Sequence, residues 1–163
     1  MLTASGSIII DRPLKEIWDF VTTPGVRRSW VDEQGSYLLS DWKPGSKIVY
    51  KYSNGEDNYR GHVERVEPYK YILFYIHDAY AEDQYNKDPE YGIDWVDEEW
   101  ELSFEEVDPR RTKFTLYIGD YDAEHTTDDA HDHEQVIAIY EQQMNEGIPN
   151  SLQRLKKMIV DKK

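Results

Sequence analysis

Two segments of helical periodicity stand near the ends of this chain, with a long run of alternating strand-like segments between them. That bracket limits the fold more than any other feature of the sequence. Leu14, Ile17, Trp18 and Val21 recur at helical spacing, which places them on one face of a short helix. Asp11 is suited to cap that helix and Pro13 to open it. Pro24-Gly25 then breaks it, and Val26 to Trp30 is expected to form a second short helical turn. At the far end Val136, Ile137, Tyr140, Met144 and Ile148, then Leu152, Leu155 and Ile159, recur at three- and four-residue intervals, the pattern of a long amphipathic helix. Gly147 and Pro149 interrupt that pattern, and a kink or break is expected near Asn145 to Asn150 because proline lacks a backbone donor and clashes with the preceding turn.

Between the helices, strands are expected at Ser36–Leu39, Lys47–Tyr52, Tyr59–Val66, Tyr71–His77, Trp95–Glu105 and Thr112–Tyr121, with a first strand at Ser7–Ile10. Lys43-Pro44-Gly45, Ser53-Asn54-Gly55-Glu56-Asp57, Glu67-Pro68 and Asp108-Pro109-Arg110-Arg111 supply hairpin connections. Alternate strand side chains point to opposite faces. Ile48, Tyr50 and Tyr52 therefore share a face, as do Ile72, Phe74 and Ile76, then Val96, Trp100, Leu102 and Phe104, and finally Phe114, Leu116 and Ile118. Lys47, Lys51, Glu99, Glu101 and Lys113 fall opposite, so the sheet has one wet face and one apolar face. At 163 residues, one domain over 1–163 is expected, burying roughly 70% of its unfolded surface.

Charge and composition exclude several classes of function. The formal net charge of −14 repels phosphate backbones and anionic lipid, so neither nucleic acid nor membrane is an expected partner. The chain has no cysteine, which removes disulfides, thiolate nucleophiles and Cys-ligated zinc and fits a reducing compartment. Met1 to Ile10 has no basic n-region and only a three-residue apolar run, so a cytoplasmic location is expected. No Gly-rich phosphate loop, nucleophile elbow or zinc-protease helix motif is present, and no cofactor is expected.

Two constellations bear on chemistry. Glu98 shares strand parity with Trp100 and points toward the apolar side, where burial raises a carboxyl pKa and suits it to proton transfer; a solvated position at the strand start is the plain alternative. His125, His131 and His133 lie in an acidic segment running from Asp120 to Glu134. Imidazole and carboxylate are metal ligands, yet no recognised zinc spacing is present, and a solvated loop leading into a helix explains the same residues. The stretch Asp78 to Asp94 carries Tyr80, Tyr85 and Tyr91 among acidic residues, and it reads equally as a lid, a dimer contact or a surface excursion.

A resemblance joins these parts. Pro13-Leu14-Lys15-Glu16-Ile17-Trp18, Thr23-Pro24 followed by Trp30, Pro44-Gly45, Gly61-His62-Val63-Glu64-Arg65-Val66-Glu67-Pro68, Trp100-Glu101-Leu102, Thr112-Lys113-Phe114-Thr115-Leu116 and the closing Leu152 to Ile159 helix run nearly the length of the chain. In that order they resemble the START-like, or SRPBCC, superfamily, whose helix-grip fold is shared with the birch-pollen allergen. Within it the chain looks like single-domain bacterial members of the family named after activators of the heat-shock-protein-90 ATPase. The resemblance implies an α+β fold: a curved antiparallel sheet wrapped around a long C-terminal helix, with two short helices after strand 1. It also implies a cavity between sheet and helix.

The expected partner is then a small hydrophobic or aromatic ligand. Its lining is expected from Trp30, Tyr50, Tyr52, Ile72, Phe74, Ile76, Trp100, Leu102, Leu116, Ile118, Ile148, Leu152 and Leu155. A cyclase-like or hydrolytic enzyme using Glu98, and a chaperone-accessory or protein-interaction module, are the other readings. A monomer and a homodimer both fit.

Overall fold

In a computed structural model, residues 2–78, 97–121 and 133–161 are described. The expected elements at Trp95 and Val96, the segment from Tyr80 to Asp94, and His125 and His131 lie outside these residues. The order of elements is β1 (Leu2–Ile10), α1 (Leu14–Thr22), β2 (Tyr37–Ser40), β3 (Lys47–Lys51), β4 (Asp57–Glu67), β5 (Tyr71–Asp78), β6 (Asp97–Asp108), β7 (Arg111–Tyr121) and α2 (His133–Val160). The seven strands form one sheet in the order β1-β7-β6-β5-β4-β3-β2, and every pairing is antiparallel.

The register confirms the assignment of faces. Phe74 stands opposite Trp100 and Ile72 opposite Leu102; Trp100 stands opposite Ile118, Leu102 opposite Leu116 and Phe104 opposite Phe114. All of these side chains are buried, as are Ile148, Leu152, Leu155 and Ile159 of α2. One face of the sheet and one stripe of the helix therefore make a single core. Its aromatic rings meet edge-on or offset, with Phe104 5.2 Å from Phe114 and Trp30 5.9 Å from Phe114, arrangements that add to the burial of area.

The helix reaches the sheet because of Gly6. A Cβ at that position would lie 2.8 Å from Ile148 Cγ2 and 3.3 Å from Leu152 Cδ1, so only a residue without a side chain lets α2 sit this close to β1. β1 runs from Leu2 rather than from the expected Ser7 because the weaker strand-formers before Ile8 are held by pairing to β7, with Ala4 through Ile10 in register.

Three local expectations are corrected. Asp11 does not cap α1: Pro13 takes the N-cap position with no side-chain cap bond, and its carbonyl accepts from the amides of Glu16 and Ile17. No second short helix follows α1. Residues 26–34 run through turns and bends, and Arg27 and Arg28 lay their guanidinium groups over the Tyr37 and Phe20 rings at 4.7 and 4.2 Å. Finally, α2 does not break at its proline; the helix continues through Pro149 to Val160. An interior proline costs about 3 kcal/mol. Full burial of an aliphatic side chain stabilises by about 1.5–3 kcal/mol, and α2 buries Ile148, Leu152, Leu155 and Ile159 on either side of the proline. Packing outweighs the local penalty.

Candidate functional site

The core is closed at the α1 end, where Ile10, Phe114 and Ile159 have no measurable exposure and Trp18 packs on Phe104 at 4.9 Å. Along β3 and β6 toward the opposite end, the inner face becomes polar. Ile48 is buried, and Tyr50 two residues on is half-buried. On β6, Trp100 is buried and Glu98 half-buried. An aromatic floor of covered rings, Phe74 with no exposure and Trp100 at 4%, thus lies under a rim of hydrogen-bonding groups.

The floor is built from Phe74, Trp100 and Tyr50. Phe74 stacks on Trp100 at 5.5 Å, and Tyr50 meets Trp100 edge-on at 6.4 Å. At the rim, Tyr50 donates its hydroxyl proton to Asp32 Oδ2 at 2.8 Å, and the Trp100 indole donates to Glu98 Oε1 at 2.5 Å. Asp32 is fixed in turn by the Ser36 amide, which donates to Oδ1 at 3.0 Å, and by the tight turn that Gly35 closes at φ +85°.

The electrostatics follow from these contacts. Burial pushes the Tyr50 phenol up, and the charge of Asp32, the bond to Asp32 and the charge of Glu98 add to it, so the pKa rises well above the ordinary tyrosine value. The phenol stays protonated at physiological pH. Burial pushes the Asp32 carboxyl up, but the bonds from Ser36, Tyr50 and Gln34 together outweigh it and hold the group below its ordinary value. Asp32 is therefore ionised at neutral pH. The rim offers two carboxyl side chains and a phenol oxygen whose proton is already committed, an arrangement that accepts hydrogen bonds from a guest.

Of the residues singled out from the sequence, Trp30, Ile72, Phe74, Ile76, Trp100, Leu102, Leu116, Ile118, Ile148, Leu152 and Leu155 are all in the buried core, and Tyr50 packs against it. Glu98 lies opposite Ile76 in the register, on the same face as Trp100. Tyr52 does not belong to this set. β3 ends at Lys51, and the Tyr52 amide turns to bond the Glu56 carbonyl; the hairpin ends the alternation that sequence parity assumed. Among the described residues no group of three or more metal-ligating side chains occurs. His133 is the first residue of α2, and His125 and His131 fall outside the described residues.

Sequence reasoning missed Asp32. Its signal was the Asp-x-x-Gly turn from Asp32 to Gly35, which marks a side chain bonded to its own turn but does not reveal the Tyr50 hydroxyl brought to it from β3.

A seven-stranded antiparallel sheet gripping one long C-terminal helix defines a START-like, helix-grip domain. The family model described as "Activator of Hsp90 ATPase homolog 1-like protein" matches residues 11–159, and the chain belongs to that family. No curated protein matches it.

Solved structures share the fold at low identity. A protein of Mesorhizobium loti is 16% identical with a TM-score of 0.65, over 98% of this chain and 96% of its own. BexL, a di-domain ARO/CYC of a biosynthetic pathway, is 16% identical with a TM-score of 0.66, over 99% of this chain and 48% of its own. An Hsp90 activator from Plasmodium falciparum is 11% identical with a TM-score of 0.57, over 93% of this chain and 94% of its own. No described helix is long and apolar enough to cross a membrane.

Proposed function

We propose that this START-like domain holds a small hydrophobic or aromatic molecule between the sheet and α2, with the apolar part on Phe74 and Trp100 and a hydrogen-bond-donating group toward Asp32, Tyr50 and Glu98. The observation that carries this reading is the gradient along the inner face, from fully buried aliphatics to an aromatic floor and then to an ordered acceptor rim. Ligand sites combine apolar walls with a few fixed polar groups in this way. A thermal-shift screen of lipids and aromatic metabolites tests it. A binder that saturates at about 100 times its dissociation constant stabilises by about 2.7 kcal/mol, and the stabilisation is expected to be lost in Trp100→Ala. A screen without a stabilising compound would count against the reading.

A second reading rests on the same rim. Glu98 faces the floor beside a phenol paired with an ionised carboxylate, which suits proton transfer to or from a bound molecule, and the ARO/CYC relative shares the fold. Turnover that persists unchanged in Glu98→Gln would exclude Glu98 from that role.

A further inference from the structure

A groove of about 350 Å³ runs between residues 31–34 and α2, lined among others by Asp32, Glu33, Glu146, Asn150, Ser151 and Arg154. Among the described residues, Arg154 is its one cationic lining residue. The guanidinium is oriented by the fold, since Nε donates to the Trp30 carbonyl at 3.2 Å and Nη2 to Ser151 Oγ at 3.3 Å. Ser151 is itself fixed, donating to the Val31 carbonyl at 2.5 Å.

The partners of Arg154 are thus neutral, and among the described residues no carboxylate comes within ion-pair distance of it. Four other arginines of this acidic chain are ion-paired, Arg12 with Glu16, Arg60 with Asp57, Arg65 with Glu67 and Arg111 with Asp108, and Arg27 and Arg28 lie over aromatic rings. Arg154 instead keeps a full positive charge and spare N–H donors, two of the five being used, in a concave site. Asp32, Glu33 and Glu146 line the same groove, and Gln142 donates to Glu146 at 3.1 Å.

We infer that this groove binds a small zwitterion of the free amino-acid class, its carboxylate on Arg154 and its ammonium toward the acidic side chains. The reasoning is one of sign. A simple anion would gain Arg154 but meet three carboxylates, and a simple cation would gain the carboxylates but meet Arg154; a guest carrying both charges satisfies each wall. The volume is at the small end of the range for ligand pockets, about 300–1,000 Å³, which suits a molecule of amino-acid size. The site is separate from the aromatic floor and shares only Asp32 with it.

The test uses a matched trio on the full chain, followed by calorimetry or by amide chemical shifts: L-alanine, ethylamine and propanoate, which carry both charges, the positive charge alone and the negative charge alone and have no aromatic ring to seat on the floor. The zwitterion is expected to bind at least about tenfold more tightly than either analogue. Arg154→Gln is expected to erase its advantage over the amine. Glu146→Gln, an exposed change that leaves the Arg154 contacts intact, is expected to narrow its advantage over the acid. Equal binding of zwitterion and amine, equal binding of zwitterion and acid, or no binding by any of the three at about 10 mM overturns the inference. None of these outcomes bears on the aromatic floor, because loss of binding there is read from Trp100→Ala with apolar compounds.

Discussion

Removing the Tyr50 hydroxyl isolates the contact that orders the rim. In Tyr50→Phe the ring keeps its edge-on packing against Trp100, and the 2.8 Å bond to Asp32 Oδ2 is lost. A hydrogen bond to a charged group is worth about 1.5–3 kcal/mol. Asp32 is half-buried and keeps its bond from the Ser36 amide, so partial solvation of the exposed oxygen lowers the expected cost to about 1–2 kcal/mol. For a domain of this size that corresponds to a fall in Tm of about 2–8 °C.

The pH dependence carries the sign. Asp32 is held below its ordinary value in the folded state, so the stability it contributes is present above the ordinary carboxylate pKa and is lost as pH falls through the folded value. The cost of Tyr50→Phe should therefore be full at neutral pH and shrink in acid. Urea denaturation of the wild type, Tyr50→Phe, Asp32→Ala and the double variant supplies a double-mutant cycle. A coupling of about 1–2 kcal/mol at pH 7 is expected. A coupling indistinguishable from zero, or a Tyr50→Phe cost that grows in acid, would refute the reasoning.

Two other substitutions probe the fold. At Gly61 a Cβ would collide with the Tyr75 backbone carbonyl on the neighbouring strand, so Gly61→Ala is expected to destabilise by about 2–4 kcal/mol or to disrupt the pairing of β4 with β5, and near-wild-type melting would contradict it. Pro149 is exposed inside a continuous helix, so Pro149→Ala, which restores a backbone donor, is expected to stabilise by about 1–3 kcal/mol; a lower urea midpoint would show that the proline serves the packing of α2 instead.

Strand parity carried most of the architecture because one face is dry along the central strands. Ile72, Phe74, Trp100, Leu102, Phe114 and Leu116 alternate without error, and each lands in the core. Parity failed at Tyr52, where β3 has ended and the hairpin turn begins, a feature that depends on the partner strand rather than on the residue itself. The expected break is absent at Pro149 for the converse reason: the neighbours on α2 that hold the helix are anchored by the sheet, including the close approach at Gly6. Glu98 was placed by counting along one strand. The Asp32–Tyr50 pair was not, because its members come from a turn and a strand whose meeting is a property of the closed fold, and the same holds for Arg154 and the Trp30 carbonyl it bonds.

A guest on the aromatic floor is reported directly by the Trp100 indole N–H, which points at Glu98. Titrating a compound that stabilises the protein while recording amide and indole NMR signals should shift the Trp100 indole together with the amides of Tyr50 and Ile118. If the Trp100 indole stays in place while signals on the outer face of the sheet, such as those of His62 and Arg65, move instead, the floor is not where the ligand binds.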